Sequence, residues 1–431
     1  MDVTLHAVDL TQWQEVYKKL AKQAYEGKID PRDLNADLIR QTYQELGTGA
    51  AKGYGKGFQV IGDDGKPNDA VIRMRRNLFR FSGAKSYAQL VELNEKLEKD
   101  GKVRPWDEFL AEALALNERY NVNHLQAEYQ TAKQAGYHAA NWEVYVRDQE
   151  RFPNLKYKTQ GDDRVRDEHR QLDGIIAPID STFWARYYPP NGWRCRCYVV
   201  QSAEKPSKDI PDEVPEVKQE FRLNVGIGGQ VFKEDGKNAA PYFALAREAD
   251  LEGAFEGTKL YAPYEVAHKG KGGAKVEVSI FADIADLGEN FGVARLLADE
   301  LGVASRIRPH VNLPKHKNPE FEIEGLRGDR IRPKSRNGAR AAANAFDDKL
   351  GKKGQLREEE KTFLIIDLSF KLSAGNVQAF TRQAWARFKH YQKVEFLILT
   401  NGGKASKIGR GVIKEGYGAF EQEVLKIATG K

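Results

Sequence analysis

The chain has 431 residues, 41% hydrophobic and 30% charged, with a formal net charge of +6. That length allows two or three domains, each large enough to bury a core, and the proportions exclude a collagen, a long disordered chain and a disulfide scaffold. No stretch approaches the roughly 18 uninterrupted apolar residues of a membrane span, and Met1-Asp2-Val3-Thr4 lacks the basic and apolar regions of a secretory signal, so a soluble cytoplasmic protein with no membrane partner is expected.

Residues 9–47 read as two amphipathic helices. Trp13, Val16, Tyr17, Leu20 and Ala24 recur at 3–4 spacing, and Leu34, Leu38, Tyr43 and Leu46 resume the period after Asp30-Pro31. A third helix is expected over 86–100, stopped by Gly101. A longer one should start near Pro105 and carry Phe109, Leu110, Leu114, Leu116 and Tyr120. Helix should continue through Leu125, Tyr129 and Ala132 to about Tyr145. His124 and His138 fit surface or packing roles better than ligation. Residues 1–148 therefore form a mostly helical region.

From residue 149 the texture changes. Leu155 to Thr159 alternates like a strand, Arg164 to Leu172 suits a helix, and Pro178, Pro189, Pro190 and Gly192 demand irregular structure. This small irregular α+β region should end near 202. Residues 202–218 are rich in proline and charge and read as a linker. Extended connectors and a hairpin are expected up to 280. Neither Gly226-Ile227-Gly228-Gly229 nor Lys269-Gly270-Lys271-Gly272-Gly273 has the strand–turn–helix spacing of a phosphate cradle.

Residues 281–431 show α/β order. Helices are predicted at 288–301, 337–350 and 376–391. Extended segments fall at 306–311, 321–324, 329–332, 362–368 and 394–400. The continuous apolar runs Thr362–Leu368 and Val394–Thr400 predict fully buried strands, and the strand–helix–strand order predicts parallel pairing with right-handed crossovers. Residues 301–431 hold 26 Lys and Arg against 14 Asp and Glu, net +12, whereas the first 300 residues are net −6. A basic domain behind a mildly acidic body points to a polyanion partner, or to a basic solvated face.

Two residue sets carry chemistry. The first is His169 with the only two cysteines, Cys195 and Cys197, spaced too closely for a relaxed mutual disulfide. Thiolate and imidazole together suit a structural Zn2+, with Asp163, Asp167 or Asp173 as a fourth ligand. The alternatives are a buried thiol pair packed on Trp184 and Trp193, with His169 bonded to a carboxylate, or a cysteine nucleophile with His169 as its base. The second set is Glu289 on a helix, Glu320 at the start of a strand and Asp329 on the next. Acids converging from such elements can hold Mg2+ or a similar ion that activates water against a phosphodiester, with Arg330 or Lys334 offsetting phosphate charge.

The run Asp163-Arg164-Val165-Arg166, His169, Leu172-Asp173-Gly174, Phe183-Trp184 and Pro189-Pro190-Asn191-Gly192-Trp193-Arg194-Cys195-Arg196-Cys197 resembles the signature of phage Mu F-type minor head (head morphogenesis) proteins. Phe221-Arg222-Leu223-Asn224-Val225-Gly226 resembles a segment downstream in such proteins, where proline is common in place of Val225. The resemblance implies a virion or procapsid component, associated with portal and other head proteins during assembly in the host cytoplasm. It implies no enzymatic activity for this region.

The order of elements after 281, with Pro319-Glu320-Phe321-Glu322-Ile323-Glu324-Gly325 and Gly328-Asp329, resembles the PD-(D/E)xK nuclease fold. It is closest to the tRNA-cleaving toxin domains of contact-dependent inhibition proteins. That resemblance implies metal-dependent cleavage of RNA and a cognate immunity protein, with Glu289, Glu320 and Asp329 as the acids. Ile331 stands where the family carries its lysine, so Arg330, Arg332 or Lys334 would have to substitute. Two other readings compete: a C-terminal domain that only binds packaged DNA, and a barnase/colicin-like metal-free ribonuclease using His310, His316 and His390. The expected architecture is multidomain: a mainly α N-terminal half, a small irregular α+β region at 149–202, a connector over 203–280 and a C-terminal α/β domain around a central mixed sheet at 281–431.

Overall fold

The computed structural model describes residues 10–214, 216–335, 337–351, 354–357, 360–368 and 373–428; the Met1–Thr4 start read above lies outside them. The chain divides into two compact units, Met1–Gln59 with Asn68–Tyr261, and Val60–Pro67 with Ala262–Lys431.

The first unit opens with three helices, α1 (Leu10–Tyr25), α2 (Ala36–Tyr54) and α3 (Asp69–Glu95). Asn35 caps α2 by accepting from the Asp37 and Leu38 amides, and Asn68 caps α3 through the Val71 amide. The helix expected at 86–100 thus starts 17 residues earlier and stops at Glu95. Its apolar period is masked because Ser82, Lys85, Ser86 and Gln89 lie in the interior beside Phe79, Phe81 and Leu90. A hairpin of β1 (Glu98–Lys99) and β2 (Lys102–Val103) follows, turned by Asp100 and Gly101 at positive φ. Then come α4 (Trp106–Glu118), a π-helical turn at Arg119–His124 and α5 (Leu125–Arg147).

The irregular region is a three-stranded antiparallel sheet. The central β3 (Asn154–Lys158) pairs with β4 (Ile176–Pro178) on one side and β5 (Tyr198–Ser202) on the other. The helix expected at 164–172 shrinks to one turn, α6 (Asp167–Arg170), and α7 (Thr182–Tyr187) is capped by Ser181. A cis peptide joins Pro189 and Pro190. Helix α5 holds this region through side chains. Tyr145 donates to the Val199 carbonyl, Thr131 Oγ1 accepts from the Arg194 amide, and His138 Nε2 bonds the Cys197 carbonyl at 3.0 Å. The packing role expected of His138 is realised.

The stretch read as a linker is tied down. Val214 and Val217 are buried, and the Val214 amide donates to the Tyr187 hydroxyl. Three short helices follow, α8 (Val225–Gly228), α9 (Pro241–Glu248) and α10 (Glu252–Thr258). Buried Asn77 on α3 accepts from the Val231 and Phe232 amides, and Phe81 stacks on Phe232 with ring centroids 3.9 Å apart. These contacts fix the 225–260 segment on the helical bundle.

The second unit is built on an eight-stranded mixed sheet: β6 (Tyr264–Lys269), β7 (Lys275–Ser279), β8 (Ser305–Ile307), β9 (Phe321–Ile323), β10 (Leu326–Ile331), β11 (Thr362–Asp367), β12 (Val394–Asn401) and β13 (Lys404–Gly409), neighbours in that order. The hairpin expected before 280 is β6–β7; it is part of this sheet, which therefore starts ahead of residue 281. Helix α11 (Ile284–Leu296) links β7 to β8, α12 (Gly338–Leu350) links β10 to β11, and α13 (Ala374–His390) links β11 to β12. All three linked strand pairs are parallel. The short helix α14 (Val412–Glu415) and α15 (Tyr417–Ala428) close the chain. The β11 run is buried along its whole length. Leu364 and Ile366 join Leu397 and Leu399 under α12, α13 and α15 in one core, while Phe363 stacks on Phe396 across the other face. Burial of both faces is why these two strands read as unbroken apolar runs. No helix among the described residues is long and apolar enough to cross a membrane.

Candidate functional site

In the second unit the expected acids separate into two groups. Alternation along β10 points Asp329 and Arg330 to opposite faces. Asp329 is fully buried and meets Lys349 from the last turn of α12, with Nζ 2.8 Å from Oδ2. Glu320, just before β9, shares that neighbourhood. Its Oε2 accepts from Asn290 Nδ2 of α11 at 2.9 Å. Burial, and then the Asp329 charge, push the Glu320 carboxyl up to about 7. Burial raises Asp329 too, with Lys349 acting against it. A cleft of about 560 Å³ opens here, lined by Asp286, Glu320, Lys334, Asp348 and Lys349 among others.

Glu289 does not join them. It is half-exposed and bridges Arg330 (2.7 Å) and Arg332 (2.9 Å). It lines a separate pocket of about 220 Å³ with Asp367 and Thr400. The helix carboxylate on the cleft side is Asp286, four residues before Asn290 and so on the same face of α11. Glu289, one residue before Asn290, is turned about 100° around α11 from it and meets Arg330 and Arg332 instead. Arg330 also lines the cleft. It is buried and donates to Asn290 Oδ1, Glu289 and Asp367. Lys334 does line the cleft, and the lysine beside Asp329 is Lys349, whereas residue 331 is Ile. Lys349 is twenty residues from Asp329, so only the β10–α12–β11 crossover brings the two together. The histidines of the metal-free reading have other surroundings. His310 Nδ1 is 3.8 Å from Asp283, His316 lines a different pocket beside Arg327 and Arg357, and His390 abuts Tyr391.

In the first unit, His169, Cys195 and Cys197 do converge. They are the one group of three or more His, Cys, Asp or Glu among the described residues whose ligand atoms lie within 4.8 Å of one another, so none of Asp163, Asp167 or Asp173 completes it. His169 sits on α6, and the cysteines lie in the strand-like approach to β5. Cys195 and Cys197 point inward and are buried, whereas Arg196 between them turns out to chelate Asp162 with both terminal nitrogens. His169 Nδ1 is 3.5 Å from Cys197 Sγ and 3.8 Å from Cys195 Sγ. The other ring nitrogen, Nε2, faces the Asn191 carbonyl at 3.2 Å, where a carboxylate was the expected partner. Trp193 packs on Phe221 and Phe232. The Cys197 thiol, with His169 beside it, holds the Cys195 thiol well below its ordinary range.

Residues 108–200, from α4 to β5, match the family model described as Phage Mu protein F like protein. This segment is similar to the putative capsid assembly protein F of Escherichia phage Mu, 34% identical over 80 residues that make up 19% of this chain and 16% of that protein. It is also similar to the Mu-like prophage FluMu F protein of Haemophilus influenzae, 36% identical over 74 residues, 17% of this chain and 18% of that protein. The matched stretch spans less than a fifth of the length of these curated relatives. No solved structure matches the chain.

Proposed function

We propose that the chain is a head morphogenesis protein of the Mu F type. It would act in capsid assembly with portal and other head proteins, and reside in the procapsid and virion. The observation that carries this reading is the match over 108–200, which coincides with a folded block: the α4–α5 helices and the three-stranded sheet bolted to α5 by Tyr145, Thr131 and His138. The relative in phage Mu is itself named a putative capsid assembly protein. The test is mass spectrometry of proheads and virions purified after induction of the phage genome that encodes the chain. Its peptides should appear in both at low copy relative to the major capsid protein. Absence from both particles overturns the reading.

The second unit would carry a further activity, cleavage of RNA with tRNA as the target class and Mg2+ as cofactor. The cleft favours it over a purely structural, DNA-binding role, because Asp286, Glu320 and Lys349 line it and Lys349 pairs with the buried Asp329 behind it. Paired acids beside a lysine suit a metal-activated water and a stabilised phosphorane charge. Cleavage of tRNA by the full chain with Mg2+, lost in Glu320→Gln and Asp329→Asn, tests it.

A further inference from the structure

The His169–Cys195–Cys197 cluster carries an inference that stands apart from both readings above. In a tetrahedral zinc site, with Zn–S near 2.3 Å and Zn–N near 2.0–2.1 Å, a nitrogen and a sulfur ligand stand about 3.6 Å apart. The two Nδ1–Sγ distances, 3.5 and 3.8 Å, bracket that edge. The imidazole orientation agrees. With Nε2 against the Asn191 carbonyl, the ring proton belongs on Nε2, and Nδ1 presents its lone pair to both sulfurs. A ligating histidine fixed by a backbone carbonyl on its far nitrogen is the usual outer-shell arrangement of such centres.

The surroundings supply two further requirements. A cavity of about 80 Å³ opens on the three ligand atoms and leaves room for one more ligand. Arg164, Arg166, Arg194 and Arg196 line it, the last held by Asp162. Two thiolates and one dication sum to zero charge, so the ion adds no net charge beside these arginines, whose N–H groups can donate to an oxygen ligand in the fourth position. The site also lies where regular structure is sparse. It spans the α6 turn and the Asn191–Cys197 loop, which hydrogen bonds such as Arg166 to the Trp193 carbonyl already draw together.

We propose that His169 Nδ1, Cys195 Sγ and Cys197 Sγ hold one divalent transition-metal ion of the zinc class, with a water molecule from the arginine-lined cavity as fourth ligand. The ion clips the α6 turn to the loop before β5.

The test uses the full chain, expressed with zinc in the medium and purified without chelator. Elemental analysis should find close to one zinc per chain. Titration with a mercurial thiol reagent should release that zinc in step with modification of the two cysteines, the only two in the chain. The metal-free chain given Co2+ should develop the thiolate-to-cobalt charge-transfer and tetrahedral ligand-field bands. The Cys195→Ser/Cys197→Ser double variant should lose both the zinc and the cobalt bands. Because that variant can lose its fold, the wild-type cobalt spectrum and mercurial release decide. Wild-type protein without zinc and without a thiolate–cobalt band overturns the proposal, as does zinc that stays bound after both thiols are blocked.

Discussion

Asn290 divides its side-chain amide between two groups: Nδ2 donates to Glu320 and Oδ1 accepts from Arg330. It therefore joins Glu320 to the arginine network around Glu289 and Asp367, whose Arg330 and Arg332 also line the acid cleft. On the cleft side, the ordinary Glu value near 4.5 is pushed up to about 7 at Glu320, first by burial and then by Asp329. Between these two values the folded chain keeps a proton that the unfolded chain has lost, so stability falls as pH rises across that window. Glu320→Gln retains an acceptor for Asn290 and removes the titration. The variant should gain stability over wild type at pH 8 and gain little at pH 5. Amide hydrogen exchange of peptides covering 319–331, corrected for the intrinsic pH effect, reads this out. An equal change at both pH values would show that the acid pair does not set the local stability. The same residues mark what the sequence could and could not reveal about the site. Glu320 and Lys334 were legible as residues flanking strands, and Asp329 as a residue on one. Lys349 was not, since its place follows from which helix covers β10, and Asp286 does not figure in the sequence reading at all, because only the fold decides which face of α11 lines the cleft.

Elements were most legible where one physical rule acted alone. The apolar runs of β11 and β12 and the break at Asp30-Pro31 between α1 and α2 are of that kind, although α2 runs on to Tyr54, past the end expected at Gly47. Helix α3 was half missed because buried polar side chains interrupt its period. Lys85 pairs with Glu128 at 2.5 Å in the interior and also bonds the Tyr120 carbonyl of the π-helical turn, a placement that no hydrophobic pattern encodes. The crossing of α2 and α5 was equally hidden. A Cβ on Gly53 would lie 1.8 Å from the Lys133 carbonyl oxygen, and one on Gly136 would lie 2.1 Å from that of Ala50. Both obstacles are backbone, so the helices would have to part to admit a methyl. Gly136→Ala should therefore destabilise the first unit by about 1–3 kcal/mol, despite the better helix propensity of alanine. Urea denaturation followed by circular dichroism measures it. A stabilised variant would mean that the two helix backbones are not in contact.

At the scale of the whole chain, the two units differ in charge, the second net +8 and the first net −2. The net +12 of residues 301–431 lies entirely within the second unit, and the Mu F-like segment lies entirely within the first. Under the proposed reading the first unit binds other head proteins, whereas a basic sheet unit with an acid-lined cleft suits a phosphodiester polyanion. Binding and cleavage should then separate. In EDTA the full chain should bind tRNA without cutting it. The logarithm of its affinity should fall linearly with the logarithm of salt concentration, because each phosphate contact releases counterions. Lys334→Ala, at the cleft rim, should lower that slope by about one and weaken binding without regard to RNA sequence. Glu320→Gln and Asp329→Asn should leave the slope nearly unchanged while abolishing Mg2+-dependent cleavage. If RNA survives Mg2+ with the wild-type chain while the salt-dependent binding persists, the second unit is a nucleic-acid-binding module and the acid cleft has no hydrolytic role. If neither binding nor cleavage occurs, the basic face is a solvated surface and the polyanion reading falls with it.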